Sequence, residues 1–366
     1  MYSDLRGELN YRTTSPRRTF GADAATTLHY YPQLAQAILA DYGGGVGLET
    51  ALGRRTRLSM SQGFTSAQSY QPTLFPALPS GMVGSDLLAV LPSGTVGSDP
   101  ASTTGDALSR LNVNTFTTMF GLTRTVGRRS SIELGYDFRL ADFTGRELDL
   151  RAFGVQGRFS HRVTRYAALR LGYGQRVAHY AVSSPIQSSL IHDLDLGIDY
   201  NRTFALTRSR QTSFSFTPGS SIVAGREGRR YGVAGNVALL QRMRRSWTAR
   251  LVYNRGVQVV DGFSGLFFSD AVSAGVNGNL SQRLGLAFSA GYSTGSIESS
   301  GQGTFGSYSA SAQANIALSR HWALSLEHFY YQQRFSGSVA LPTGVPGELG
   351  RQSMRVGLRW LTPLLP

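Results

Sequence analysis

Long runs that alternate apolar and polar residues dominate this sequence. In 130–143, the residues Ile132, Leu134 and Tyr136 fall on one parity while Glu133 and Asp137 fall on the other. Because successive side chains of a strand point to opposite faces, the run predicts a strand with one apolar and one charged face. The same alternation recurs in 166–181, 191–200 and 354–360.

The alternating runs are long for a globular protein. They continue for roughly 12 to 16 residues, whereas strands of soluble domains usually stop near 5 or 6. At about 3.3 Å per residue, such a strand spans roughly 40 to 50 Å, which is enough to cross an outer membrane when tilted. Strand length therefore favours a membrane barrel over a sandwich.

Short arginine-bearing turns separate the runs, at 52–57, 126–131, 163–166, 206–211, 243–247, 280–285 and 318–322. Most are about 40 residues apart, with one tight turn and one longer Gly/Ser-rich connection per repeat. A propeller blade of that period would need four short strands, so hairpins fit better. At the periplasmic turns of a barrel, arginines would meet anionic lipid headgroups. The plainer explanation is that turns are polar and arginine is the chain's only cation, since all 36 basic residues are arginine.

The predicted fold is an all-β, transmembrane, antiparallel up-and-down β-barrel with short periplasmic turns and longer extracellular loops. The turns, the terminal run and an N-terminal hairpin give 17 strands; because bacterial barrels usually have even numbers, we expect about 18, with 16 as the alternative. We expect residues 1–366 to form one barrel domain, with further residues upstream of Met1. The segment 71–108 is predicted to be a long extracellular or constriction loop, or a surface excursion produced by its tandem "LPSG" repeat.

Several functional classes lose support from composition. The chain has no cysteine, and its six histidines show no ligand spacing, so neither a metal nor a cofactor is predicted. No apolar run reaches the roughly 18 residues of a membrane-spanning helix. The net charge of +14 suggests an anionic partner, but the arginines form no interleaved aromatic and basic strip, so nucleic acid is not expected.

The polar parity of the strands predicts the lumen wall of the barrel. Charged rings of this kind select among ions and sugars, although acids and bases on adjacent strands also pair as wall-stiffening salt bridges. Arg170 and Arg176 have few acids in their own strand and are the better candidates for contacting passing anions. The predicted lumen-lining residues are Glu133, Asp137, Arg139, Arg158, Arg170, Arg176, Asp193, Asp195, Asp199, Arg250, Arg355 and Arg359.

Aromatic residues predict where the membrane interface lies. Trp247, Trp322 and Trp360 lie next to short turns or the C-terminus, as expected of an aromatic girdle. Core aromatics of a soluble β protein are the alternative. A lipolytic role is the catalytic alternative, because His179 and His192 share the lipid parity and would face each other if the loop between them were symmetric. No third orienting group is evident on that face, so we do not predict an enzyme.

The segments 231–297 and 340–366 resemble outer-membrane β-barrel proteins of Gram-negative bacteria, some of them associated with exopolysaccharide export. The resemblance implies a pore for a polymer and cooperation with a periplasmic polysaccharide-export protein. This chain departs from the typical C-terminal aromatic residue, since Trp360 is followed by "LTPLLP".

The sequence therefore predicts a channel in the bacterial outer membrane, surrounded by lipids and lipopolysaccharide. We expect it to export a polysaccharide or to pass polar or anionic solutes. A general diffusion porin and a structural or lipolytic barrel are the alternatives.

Overall fold

The computed structural model describes most of the chain, with gaps at its ends and in several connections. The described residues are 3–31, 37–67, 113–143, 149–180, 187–200, 202–207, 210–225, 228–243, 246–259, 266–297, 303–319, 321–337 and 346–360. The predicted loop at 71–108 lies outside them.

All regular structure in the described residues is β-strand, in eighteen elements. The strands are β1 Ser3–Thr14, β2 Arg18–Tyr31, β3 Ala37–Ala51, β4 Thr56–Ala67, β5 Val113–Thr125, β6 Ser130–Phe143, β7 Leu150–Arg162, β8 Ala167–Tyr180, β9 Gln187–Tyr200, β10 Arg202–Thr207, β11 Arg210–Gly225, β12 Gly228–Met243, β13 Trp247–Val259, β14 Leu266–Asn279, β15 Leu284–Ile297, β16 Gly303–Ala317, β17 Trp322–Ser336 and β18 Glu348–Trp360. Among the described residues, no helix is long and apolar enough to cross a membrane.

The strands form one antiparallel up-and-down sheet, as predicted. From β1 to β9 and from β10 to β18, each strand pairs with the next along the chain, over as many as sixteen residue pairs between β11 and β12. Most are 12 to 16 residues long, which confirms the predicted strand length.

Five arginine-bearing turns share one geometry. In each, the N–H of the residue before the turn donates to the carbonyl oxygen four residues later, at 2.8 to 3.0 Å, from Leu52, Val126, Val163, Leu280 and Leu318.

The second position of these five turns is Gly, Ser or Thr. Where it is Ser or Thr, the side-chain oxygen accepts hydrogen bonds from two later backbone N–H groups, as Ser281 Oγ does from Arg283 and Leu284 at 3.2 and 3.1 Å. This local bonding satisfies turn donors that no strand can reach.

The described residues do not form the expected series of eighteen neighbouring strands. β9 and β10 both pair with β11, β9 near the loop end and β10 near the short-turn end, so the eighteen elements occupy seventeen positions. Pro218 of β11 causes this break because it has no N–H to donate and its ring lies against Gly197 of β9, where an added Cβ would be 3.0 Å from the ring carbons.

The odd number of positions gives the two terminal strands the same direction. Both β1 and β18 run toward the end of the sheet that carries the short turns. Within the described residues, no register pairs β1 with β18, and the sheet runs continuously from β1 to β18.

One face of the sheet exposes its large apolar side chains; we call it the outer face. Leu134, Val155, Leu171 and Leu196 are each more than half exposed there. The opposite face, the inner face, carries most of the predicted lumen residues whose side chains are described. The structure therefore has the apolar residues of the strands on one face and the charged residues on the other, as predicted.

The inner face changes character along the strands. Near the loop end, an apolar cluster across β5 to β8 contains Val113, Ala141, Phe143, Leu150, Ala178 and Tyr180. The described charges of this face lie in the middle of the strands and toward the short turns, while the loop end of β5 to β8 is packed with apolar groups.

Candidate lumen-facing site

Polar side chains from five strands, β6 to β9 and β11, lie close together on the inner face. We call Asp137, Gln156, Arg176, Asp193 and Ser221 the inner-wall network. Arg176 donates to Asp193 Oδ2 from Nη2 at 2.8 Å and from Nε at 3.1 Å, and Ser221 Oγ donates to Asp193 Oδ1 at 2.6 Å. β8, β9 and β11 are thereby linked through one carboxylate.

Glycines make room for this network. Gly154 lies opposite both Asp137 and Arg176 in the strand registers. A Cβ at Gly154 would lie 2.6 Å from Asp137 Oδ1 and 2.8 Å from Arg176 Cγ. At Gly135, it would lie 2.8 Å from Gln156 Nε2. The missing side chains let long polar groups lie flat along the wall.

A second ion pair lies nearer to the short turns. Arg158 Nη1 is 3.7 Å from Glu133 Oε2, and both side chains are mostly covered. Arg170 lies on β8, two residues from the position that pairs with Arg158, and it is 6% exposed. In the strand registers, Arg170 is opposite Ser160 of β7 on one side and Gly197 of β9 on the other. Adjacent acids and bases on this part of the wall therefore pair across strands.

Arg170 and Arg176 were predicted to be the better candidates for contacting passing anions. Arg170 is 6% exposed, and Asp193 holds the guanidinium of Arg176. The acid that pairs with Arg176 lies on the adjacent strand, so the residues of β8 alone do not reveal this ion pair. Arg139 and Arg250 are exposed, and Arg250 lies opposite Leu240 and Gly275. These two arginines are the cations of the predicted set that are most accessible to solvent.

Four predicted lumen residues are placed only by their backbones. Asp195 and Asp199 pair with Gly172 and Ala168, and Arg355 and Arg359 pair with Glu327 and Ala323. Their side chains lie outside the described part of the structure.

Uncharged polar residues of the site were missed from the sequence. Gln156 and Ser221 belong to the network, and Asn236 is 4% exposed with its Nδ2 donating to the Tyr253 carbonyl at 3.3 Å. The alternation of the sequence places all three on the inner parity, but they carry no charge and so lie outside the predicted set of charged residues.

The predicted girdle tryptophans lie at the short-turn end. Trp322 is exposed and pairs with Trp360 in the β17–β18 register. Trp247 is partly covered and its ring lies over Gly278. On the same outer face nearer the loops, the Tyr292 and Tyr308 rings are 4.7 Å apart.

The symmetric placement of His179 and His192 is wrong. The β8–β9 register sets His179 opposite Ser188 and His192 opposite Gln175. His192 Nδ1 is instead 2.7 Å from the hydroxyl of Tyr173. Among the described residues, no group of three His, Cys, Asp or Glu side chains is arranged to hold a metal ion.

No protein-family model matches the chain, and no curated protein matches it either. Solved structures with similar architecture include the FrpB iron transporter from Neisseria meningitidis (F3-3 variant), with a TM-score of 0.47 and 8% identity, covering 93% of this chain and 62% of that one. The copper transporter OprC gives a TM-score of 0.47 and 10% identity, covering 99% of this chain and 66% of that one. The siderophore receptor PirA from Pseudomonas aeruginosa gives 0.43 and 9%, covering 96% and 69%.

The chain therefore spans about three fifths of the length of FrpB. The likeness to these transporters and receptors concerns general β architecture and carries no argument about cargo. The exopolysaccharide-export resemblance gains no support from them.

Proposed function

We propose that this protein is a channel of the bacterial outer membrane that passes polar solutes along the inner face of a closed β-barrel. One observation carries the proposal: large apolar side chains are exposed on the outer face, while the inner face holds paired and solvent-exposed charges. Exposed apolar area on this scale is typical of a surface that contacts lipid.

Closure of the barrel is part of the proposal. A strand edge in hydrocarbon leaves N–H and C=O groups unpaired, at several kcal/mol for each group in such surroundings. Because β1 and β18 run in the same direction, direct closure would form a parallel pair. We propose this parallel seam as the closing contact.

The inner wall suits a polar, weakly anionic or neutral solute better than a free cation. Arg176 pairs with Asp193 and Arg158 pairs with Glu133, and the side chains of Arg139 and Arg250 are exposed to solvent. Accessible cations in a pore attract anions by their field.

Conductance in planar bilayers tests the function. The purified, refolded protein is expected to give stepwise single-channel currents that fall as neutral sugars of increasing size enter the pore. A monodisperse, detergent-free protein that gives no current and does not insert into vesicles would contradict the proposal.

Polysaccharide export is the sharper form of this proposal and rests on the C-terminal resemblance. A polymer pore is expected to show current blockades with acidic or neutral oligosaccharides that lengthen with chain length. Blockades independent of oligosaccharide length would leave a general diffusion porin as the function.

A further inference from the structure

The short turns that follow β1, β3, β5 and β7 carry exposed arginines and no acid. We call seven of these residues the arginine rim: Arg17, Arg18, Arg54, Arg55, Arg128, Arg129 and Arg165. The acids closest to the β3 and β5 turns, Glu49 and Glu133, already pair with Arg57 and Arg158. Among the described residues, the seven rim arginines form no ion pair, so their charges are not balanced within this part of the protein.

Backbone hydrogen bonds join these four turns to one another. An arginine carbonyl of one turn accepts a hydrogen bond from the N–H of the residue that leads into the next turn, at 2.7 to 2.8 Å: Ala51 donates to Arg17, Thr125 to Arg55 and Arg162 to Arg129. Because neighbouring strands lie about 4.8 Å apart, successive turns are spaced at roughly 10 Å. The sheet therefore holds the rim arginines in a row.

The apolar outer face continues down to the arginine rim. Leu52, Val126 and Val163, which lead into three of these turns, are 62%, 51% and 49% exposed, and each has the outer parity of its strand. In each turn, the first rim arginine follows this apolar residue by two positions, a span of at most about 7 Å. No polar collar separates the apolar surface from the arginines, so in a membrane the rim lies at the level of the lipid headgroups.

We propose that the arginine rim binds anionic phospholipid headgroups of the periplasmic leaflet. The inference rests on the proposed membrane barrel with its short turns toward the periplasm. A guanidinium donates two hydrogen bonds to the oxygens of one phosphate, while the stem of the side chain stays against apolar surroundings. Each arginine near an anionic surface strengthens the attraction roughly fivefold. A soluble acidic protein is the competing partner, but it would have to reach charges within the headgroup layer.

Quenching of tryptophan fluorescence by brominated lipids measures which lipid surrounds each end of a strand. Val126→Trp places a reporter at the rim, and Phe116→Trp places one on the same face of β5 nearer the loops. Both are made in a chain whose three tryptophans are replaced by phenylalanine. The protein is refolded into vesicles of phosphatidylglycerol and phosphatidylcholine, with one lipid brominated and then the other.

We expect phosphatidylglycerol to be enriched several-fold at Val126→Trp and not at Phe116→Trp. The enrichment should fall as salt is added, because the screening length shrinks from about 10 Å at 0.1 M to about 3 Å at 1 M. Leu52→Trp, in the neighbouring turn, is a second rim reporter that does not depend on the folding of the first.

Two arginine variants with the same loss of charge separate the rim from net charge. Arg128→Gln with Arg129→Gln removes two rim arginines beside the reporter, and should abolish most of the enrichment. Arg139→Gln with Arg250→Gln removes two exposed arginines from the inner face, and should leave the enrichment unchanged.

Two results overturn the proposal. Equal quenching by the two lipids at both rim reporters would leave the arginines to a soluble acidic partner, and an equal loss in the two arginine variants would reduce the effect to net charge. The membrane barrel is tested separately by the same samples. If no reporter is quenched by either brominated lipid in the refolded protein, the outer face does not contact hydrocarbon, and the proposed function fails as well.

Discussion

Arg176 of β8 and Asp193 of β9 form a two-bond ion pair on the inner face, with both bonds ending on Oδ2. About a third of each side chain remains exposed, at 35% and 32%. The pair therefore stiffens the wall while its charges still contact solvent in the lumen. Its partners come from strands joined by a loop, so no single strand reveals it.

Neutralising Asp193 should change ion selectivity. In Asp193→Asn the charge of Arg176 is no longer balanced, so the anion-to-cation permeability ratio should rise, and Arg176→Gln should lower it. Stability should fall by only about 0.2 to 1 kcal/mol, as for exposed pairs. Reversal potentials in a salt gradient measure the ratio.

Asp270→Asn is the control for this substitution. Asp270 lies on the outer face, where it accepts a hydrogen bond from Tyr253 at 2.5 Å. An equal selectivity change in both variants would show that Asp193 does not face the conducting path.

A methyl group at Gly154 should disturb the network. The added Cβ would lie 2.6 Å from Asp137 Oδ1 and 2.8 Å from Arg176 Cγ, so one side chain must move. Overpacking of this kind costs about 1 to 3 kcal/mol. Urea unfolding of Gly154→Ala in lipid vesicles, followed by tryptophan fluorescence, measures the loss.

Gly157→Ala on the same strand is the matched control, because its nearest side-chain atom is Leu134 Cδ2 at 3.5 Å. It should stay within about 0.5 kcal/mol of the parent. Equal stability of the two variants would mean that Asp137 and Arg176 yield without strain.

Adjacent residues of β5 test which face meets lipid. Phe120 pairs with Met60 and Tyr136 on the outer face, whereas Met119 pairs with Ser61 and Asp137 on the inner face. Phe120→Arg should destabilise the folded protein by about 2 to 4 kcal/mol if it lies near the bilayer midplane. Met119→Arg should be close to neutral because it enters a polar wall beside Asp137. Unfolding free energies in vesicles compare the two, and the reverse order would invert the assignment of faces.

The proposed parallel seam predicts cross-links between the terminal strands. Asn10→Cys combined with Ser353→Cys or Gly357→Cys should form a disulfide in the membrane-inserted protein. Of these two β18 positions, Gly357 is closer to the short-turn end than Asn10 is, and Ser353 is farther from it. The pair Asn10→Cys and Ser61→Cys, separated by two strands, is the negative control. If neither β1–β18 pair cross-links after complete insertion, the proposed seam between these two strands is wrong, and another strand must close the barrel.

The sequence alone determined the strands, the short turns and the two faces of the sheet. These features depend on neighbours along the chain: alternation at a period of two sets the face of each side chain, and Gly, Ser or Thr before arginine sets each turn. For this reason the outer parity of Leu134 and the inner parity of Arg176 were predicted correctly from one strand at a time.

Only the tertiary structure decided which groups meet. The Arg176–Asp193–Ser221 contacts depend on register across three strands, and the break at Pro218 reduces eighteen elements to seventeen positions. Val257 has the parity of an outer-face residue, yet it is buried against the inner wall because β13 leaves β12 above Arg255. Periodicity fixes which way a side chain points relative to its own strand, whereas the course of that strand through space depends on non-local packing that no local pattern encodes.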